Sequence, residues 1–261
     1  MGKHLNILGL AHDVVLSSAA LVSDGKVVAA ICEERLNRQK LFQGFPQKAI
    51  EYCLSQGNID LTKVDAIAVG WNPARHIVRP NRRHATVAWK AEYMVTVPNQ
   101  LQHFLQNSDI YGAEQFFESP EGRTHIVYID HHMAHLANAF YLSPFSSAAL
   151  MTLDGVGEVD SGCMAFGDQT GIQVLKRLKY PHSLGLFYGT MTSFLGFRID
   201  SDEWKVMALA AYGRQRSDNP YYPKLRGIVQ VQEGGFFELD LTYFNYYLQD
   251  EIGFANEKLI A

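Results

Sequence analysis

His131-His132-Met133-Ala134-His135 is the stretch of this sequence with the clearest chemical potential. On a helix, His131 and His135 share one face, a spacing that lets two imidazoles reach a single metal ion. The flanking residues predict that helix. His125 to Ile129 reads as a short buried strand, and Asp130 stands where an N-cap belongs. Leu136, Ala137, Ala139 and Phe140 then carry an apolar stripe to Tyr141-Leu142, where Ser143-Pro144 stops it. Two polar residues capping a helix end account for the spacing equally well. The pair makes a metal site only if a third ligand comes from elsewhere in the chain.

The elements that must position such a site are legible as alternating strands and helices. Leu5 to Leu10, Ser17 to Val22 and Lys26 to Cys32 read as three strands, the last two joined by the hairpin signal Asp24-Gly25. Phe45-Pro46 leads into a helix through Ala49, Ile50, Cys53 and Leu54, closed by Gly57. Val64 to Val69 and His125 to Ile129 are two further strands. Near residue 147 the pattern restarts with strands at Ala148 to Leu153, Gly162 to Phe166 and Ile172 to Leu178. Helices at Leu184 to Leu195 and at about Asp202 to Ala211 follow. Three strands then helix, twice over, is the layout of an α/β fold of the actin-like ATPase (ribonuclease H-like) class, a duplicated β-β-β-α-β-α architecture. Residues 1–146 form the first half, with a locally basic insertion at about 73–120 that is largely helical in composition. Residues 147–261 begin a second half that lacks its later strands and so reads as incomplete. Asn219-Pro220 and Tyr222-Pro223 mark a loop near its end.

Composition narrows the function classes. The 261 residues are 47% hydrophobic, enough for a sizeable core, and the net charge of −4 gives no general pull toward nucleic acid or an anionic membrane. No apolar run reaches the ~18–20 residues of a membrane-crossing helix. Three cysteines without a C-x-x-C pair fit reduced thiols, and the expectation is a cytoplasmic protein. An unfinished sheet edge in the second half would favour self-association.

Four further stretches carry candidate chemistry. Asp154-Gly155-Val156-Gly157-Glu158 follows a buried strand, where small residues let backbone N–H groups approach phosphate while the carboxylate meets a metal or hydroxyl. A plain hairpin turn has the same pattern. In Asp200-Ser201-Asp202-Glu203-Trp204-Lys205, Asp200 and Glu203 have capping-box spacing, and Lys205 sits early in a helix, where a cation needs an anion facing it. The core face of that helix is expected to be Val206, Leu209 and Ala210. Glu33 to Lys40 is a mixed charge run that reads as a solvated loop. His12-Asp13, between the first two strands, is a candidate general-base pair, although two adjacent residues on an extended chain point apart.

Taken in order, these blocks resemble the O-carbamoyltransferases of nodulation-factor, cephamycin and tobramycin carbamoylation. The resemblance rests on Ala19 to Gly25, Glu33-Glu34-Arg35 with Arg38 and Lys40, Gly44-Phe45-Pro46, the H-H-x-x-H helix, D-G-x-G-E and the run Asp202 to Gly213. The tRNA threonylcarbamoyl-transferases are a more distant likeness. The resemblance implies that a YrdC-like domain, outside this chain, joins ATP and carbamoyl phosphate into carbamoyl-adenylate with release of pyrophosphate. The actin-like domain would then transfer the carbamoyl group to a hydroxyl of a small molecule. Carried over, His131 and His135 are metal ligands, with iron the metal implied and magnesium accompanying ATP. Asp154, Gly155, Gly157, Glu158, Glu203 and Lys205 lie at the nucleotide, and Arg35, Arg38 and Lys40 line the approach of substrate. The third metal ligand is expected in an Asp beyond Ala261, and the 261 residues alone are expected to be inactive. Val14-Val15-Leu16, inserted before Ser17, departs from the family's placement of His12-Asp13. A non-catalytic subunit lending half a site to a partner chain is the competing reading. A small-molecule kinase of the same superfamily is a third, which has no use for a histidine pair.

Overall fold

The computed structural model describes residues 4–12, 16–72, 110–111, 116–119, 122–247 and 255–260. Asn6–Ala11 (β1), Ser18–Ser23 (β2) and Lys26–Cys32 (β3) form an antiparallel meander. Asp24 and Gly25 turn its second hairpin with positive φ of 49° and 76°, backbone that Asp tolerates and Gly adopts freely. Glu33–Asn37 (α1) and Gln47–Gly57 (α2) come next, then Ala66–Val69 (β4). Ile110–Tyr111 (β5), Phe116–Ser119 (β6) and Gly122–Tyr128 (β7) complete a seven-stranded sheet of order β3-β2-β1-β4-β7-β6-β5. β4 lies parallel to both β1 and β7. Three antiparallel strands extended by two parallel ones is the actin-like half that the order of elements predicts.

Period-2 alternation decides what this sheet buries. Leu8, Leu10, Ala19, Leu21, Ile67, Val69 and Ile126 face one core, and Ala49, Ile50, Cys53 and Leu54 of α2 cover them. The helix closes at Asn58, left-handed at φ 50°, and not at Gly57. Gly57 is small for another reason: a Cβ there would stand 2.4 Å from Leu21 Cδ2. Two expectations fail locally. Glu33 to Lys40 is not a solvated loop throughout, because Glu33 is buried and accepts from the Ala49 N–H at 2.7 Å, in the first turn of α2. Within the supposed helical insertion, β5 and β6 are strands, and the rest of that segment lies outside the described residues.

The chain packs as two compact units that divide between His131 and His132, fifteen residues before the restart read from element order. Helix α3, His131–Tyr141, therefore opens at the last residue of the first unit and runs on in the second. Ala148–Gly157 (β8), Asp160–Asp168 (β9) and Gly171–Lys179 (β10) then form an antiparallel sheet of order β10-β9-β8. Leu136 of α3 packs with Cys163 and Ala165 of β9. Leu184–Phe194 (α4) packs on β8, and Glu203–Leu209 (α5) follows. No residue of α5 is buried, so the expected core face of Val206, Leu209 and Ala210 is absent. Tyr222–Ile228 (α6) replaces the predicted loop, with Pro223 in its first turn, where a missing N–H costs nothing. Val229–Val231 (β11) and Phe237–Leu239 (β12) pair beside it, and Ile228, Phe237, Leu239, Phe244 and Tyr246 build a second core with Leu178 and Leu186. Among the described residues, no helix is long and apolar enough to cross a membrane.

Candidate metal centre

Helix α3 and the strand that follows it bring three donors together. One ligand atom each from His131, His135 and Asp154 lies within 4.8 Å of the other two. His135 Nε2 stands 3.3 Å from Asp154 Oδ2, and both side chains are partly exposed. The His131 ring meets the buried indole of Trp71 edge-on, with centroids 5.2 Å apart. Two imidazoles and one carboxylate form a donor set suited to non-haem ferrous iron, and by donor type also to zinc. The residues present therefore fit a divalent transition ion. β8 brings the Asp154 carboxylate, expected from its D-G-x-G-E setting to lie at a nucleotide, against the two histidines.

Asp154 is held from several sides. Its Oδ1 accepts from the Gly155 N–H at 2.6 Å, so an N–H expected to face phosphate is spent locally. Its backbone carbonyl accepts from Ser183 Oγ at 2.8 Å, while Ser183 caps α4 by accepting from the Leu186 N–H at 3.0 Å. Two positions on, Gly185 lets the first turn of α4 lie against the strand: a Cβ there would stand 2.5 Å from Gly155 N and 2.6 Å from Asp154 C. Neither Ser183 nor Gly185 is among the site residues expected from sequence. A Ser N-cap just before an apolar helix was a visible signal, but nothing local says which strand that helix end touches.

The comparisons with known proteins bear on what this arrangement serves. The family model of the carbamoyltransferase N-terminus matches residues 6–258. The chain belongs to that family. An uncharacterized protein of Synechocystis, sll1178, is 33% identical over 92% of this chain, which spans 40% of that protein. The nodulation protein NolNO of Sinorhizobium fredii is 32% identical over 80% of this chain, which spans 30% of it. Among solved structures, YeaZ from Pseudomonas aeruginosa aligns at 16% identity with a TM-score of 0.34, covering 67% of this chain and 68% of that one.

In this carbamoyltransferase N-terminus the remaining candidate residues are placed as follows. Gly157 pairs with Asp160 across the two-residue turn Glu158-Val159. Glu158 is fully buried and left-handed at φ 48°, an uncommon conformation for a residue with a Cβ. The Glu203 carboxylate accepts from the Asp200 N–H at 2.8 Å, which is half of the expected capping box; the N-cap itself is Asp202. Lys205 Nζ pairs with Asp202 Oδ1 at 2.8 Å, so the anion its position calls for is supplied by its own helix start. That bond, with the Arg198 N–H, holds the Asp202 carboxyl below the usual carboxylate range. Arg35 is largely exposed and lies 3.7 Å from Glu34, whose other oxygen accepts from the Leu41 N–H. Arg38 caps α1 at φ 63°, and Lys40 is exposed. His12 is 2% exposed, with its ring edge-on to Phe45, while Asp13 lies outside the described residues.

Proposed function

We propose that this chain is the N-terminal part of an ATP-dependent O-carbamoyltransferase acting on a hydroxyl of a small molecule or natural product. The observation that carries the reading is the cluster of His131, His135 and Asp154 in a chain of the carbamoyltransferase N-terminus family. His131, His135 and Asp154 would hold the ion, which the resemblance to the O-carbamoyltransferases makes iron, while the donor set by itself suits iron and zinc alike. A metal bound there supplies Lewis acidity toward the carbamoyl oxygen. In the reaction, the acceptor oxygen bonds to the carbamoyl carbon as the bond to the adenylate phosphate oxygen breaks. AMP leaves, and the hydroxyl proton passes to a base, a role that the sequence pattern gives to His12 with Asp13. On the same pattern, the adenylate lies near the β8–β9 hairpin, Glu203 and Lys205, with magnesium on its phosphates, and Arg35, Arg38 and Lys40 meet a polar or anionic substrate. Formation of carbamoyl-adenylate from ATP and carbamoyl phosphate belongs to a YrdC-like domain in the longer protein. The test uses the whole gene product: pyrophosphate release from ATP that depends on carbamoyl phosphate, lost on chelation, is the expected result. Transfer of the ATP γ-phosphate to an acceptor without carbamoyl phosphate would overturn the reading in favour of a kinase.

A further inference from the structure

His132, adjacent to the proposed ligand His131, is a fully buried histidine that the reaction scheme does not use. Its side chain joins three elements. Nδ1 lies 2.8 Å from Thr152 Oγ1 on β8, and Nε2 lies 3.0 Å from the Asp160 carbonyl oxygen on β9. A carbonyl only accepts, so Nε2 carries the proton; in the uncharged ring Nδ1 then accepts from the Thr152 hydroxyl. The β9 end of this bridge is itself fixed. The Asp160 side chain is wholly buried, Arg177 Nη1 donates to it at 2.9 Å, and Lys179 of β10 donates to its other oxygen. At the β8 end, Thr152 and Asp154 are two apart on one strand and both meet α3, Thr152 at His132 and Asp154 at His135. On the helix, His132 and His135 are three apart and neighbours on one face.

We infer that His132 is a positioning residue for the metal centre: its paired ring holds the first turn of α3 on β8, so that His135 meets the Asp154 carboxylate. The alternative is a core histidine whose loss changes stability alone. The two differ in what Thr152 does. Thr152→Val removes the hydroxyl that pairs with Nδ1 and keeps the side chain's shape, while Thr152→Ser keeps the hydroxyl.

The inference rests on the metal reading above, and the experiment separates the two. Co2+ is titrated into the 261-residue chain and followed by its visible d–d absorption, alongside thermal melts without metal. Outer partners of metal ligands are commonly worth about 10- to 100-fold in affinity. Thr152→Val and His132→Gln are expected to melt cooperatively and to bind Co2+ at least about tenfold more weakly, with Thr152→Ser within about threefold of wild type. Wild-type affinity in Thr152→Val, or equal loss in Thr152→Ser, overturns the inference and leaves the metal reading standing. Loss of the cooperative melt in both Thr152→Val and His132→Gln also counts against it, since the residue then serves the fold first. Absence of Co2+ uptake by the wild-type chain removes the metal reading and this inference with it.

Discussion

Replacing Asp154 by Asn isolates the charge of the third donor. The amide keeps an oxygen near the original position, so geometry is largely preserved while the trio loses its one negative charge, both imidazoles being neutral when they ligate. The donor atoms lie within 4.8 Å of one another, and a unit charge pair held that far apart attracts by about 3.5 kcal/mol at an effective dielectric of about 20. That separation is farther than an ion among the donors would sit from Asp154, so the figure is a lower bound. A divalent ion doubles this, and the 38% exposure of the Asp154 side chain, with salt, removes more than half of the total. About 3 kcal/mol remains, which is roughly 100-fold in dissociation constant. Calorimetric titration of Zn2+ or Co2+ into wild-type and Asp154→Asn chains reads this directly. Asp168→Asn, at the β9–β10 hairpin, serves as a control for net charge and is expected to bind as wild type. An Asp154→Asn constant within about threefold of wild type would refute the reasoning, because it would leave the carboxylate no part in binding.

Other consequences follow from the packing around Asp154 and from the surface. Gly185→Ala must move the start of α4 nearly 1 Å to turn a 2.5 Å approach into ordinary contact at 3.4 Å. It should cost about 1–3 kcal/mol in denaturant melts and weaken metal binding, and an unchanged melt would contradict the close approach. Ser183→Ala removes the cap of α4 and the bond to the Asp154 carbonyl, with an expected loss of about 1–2 kcal/mol by the same measurement. The His4 ring sits 2.6 Å from Asp24, whose hydrogen bond and charge raise the imidazole pKa above its ordinary value. Asp24 is lowered chiefly by the Leu5 N–H and then by His4. The pair therefore stabilises the fold between the carboxylate and imidazole ranges. Its contribution is lost as pH falls through the lowered Asp24 pKa or rises through the raised His4 pKa. An NMR titration placing His4 at or below the free-histidine value would refute this. Given ATP, carbamoyl phosphate and a hydroxyl acceptor, the 261-residue chain alone is expected to form no carbamoylated product by mass spectrometry; product would show that the adenylate-forming step needs nothing further.

Much of the fold was legible because its strands and helices carry strong local periodicity. Lys26–Cys32 is found with the limits read from sequence, and the predicted helix from Leu184 is displaced by one residue at its end. The errors share a cause. Glu33 looks like a solvated acid until α2 brings the Ala49 N–H to it, and Tyr222-Pro223 looks like a turn although proline is at home in a first helical turn. The apolar spacing of Val206 and Leu209 promises a core face, but spacing says only which residues would share a face and not whether anything covers it.

At the candidate site the histidine pair is legible from residue spacing alone, since residues four apart on a helix are neighbours through the helix pitch. It also carried the family, through the order of blocks that are each weak in isolation. The carboxylate beside that pair emerges only from packing. Asp154 reads as a phosphate-loop acid or as a hairpin turn. Which it meets depends on how α3 lies across β8, a contact set by His132, Thr152 and Asp160 on one side and by Ser183 and Gly185 on the other. Lys205 makes the same point in reverse: the helix dipole says that it needs an anion, and only the local geometry of α5 shows that Asp202 supplies it. Local patterns fix which face a side chain occupies, whereas the neighbour across that face is set by long-range packing, which no window of sequence contains.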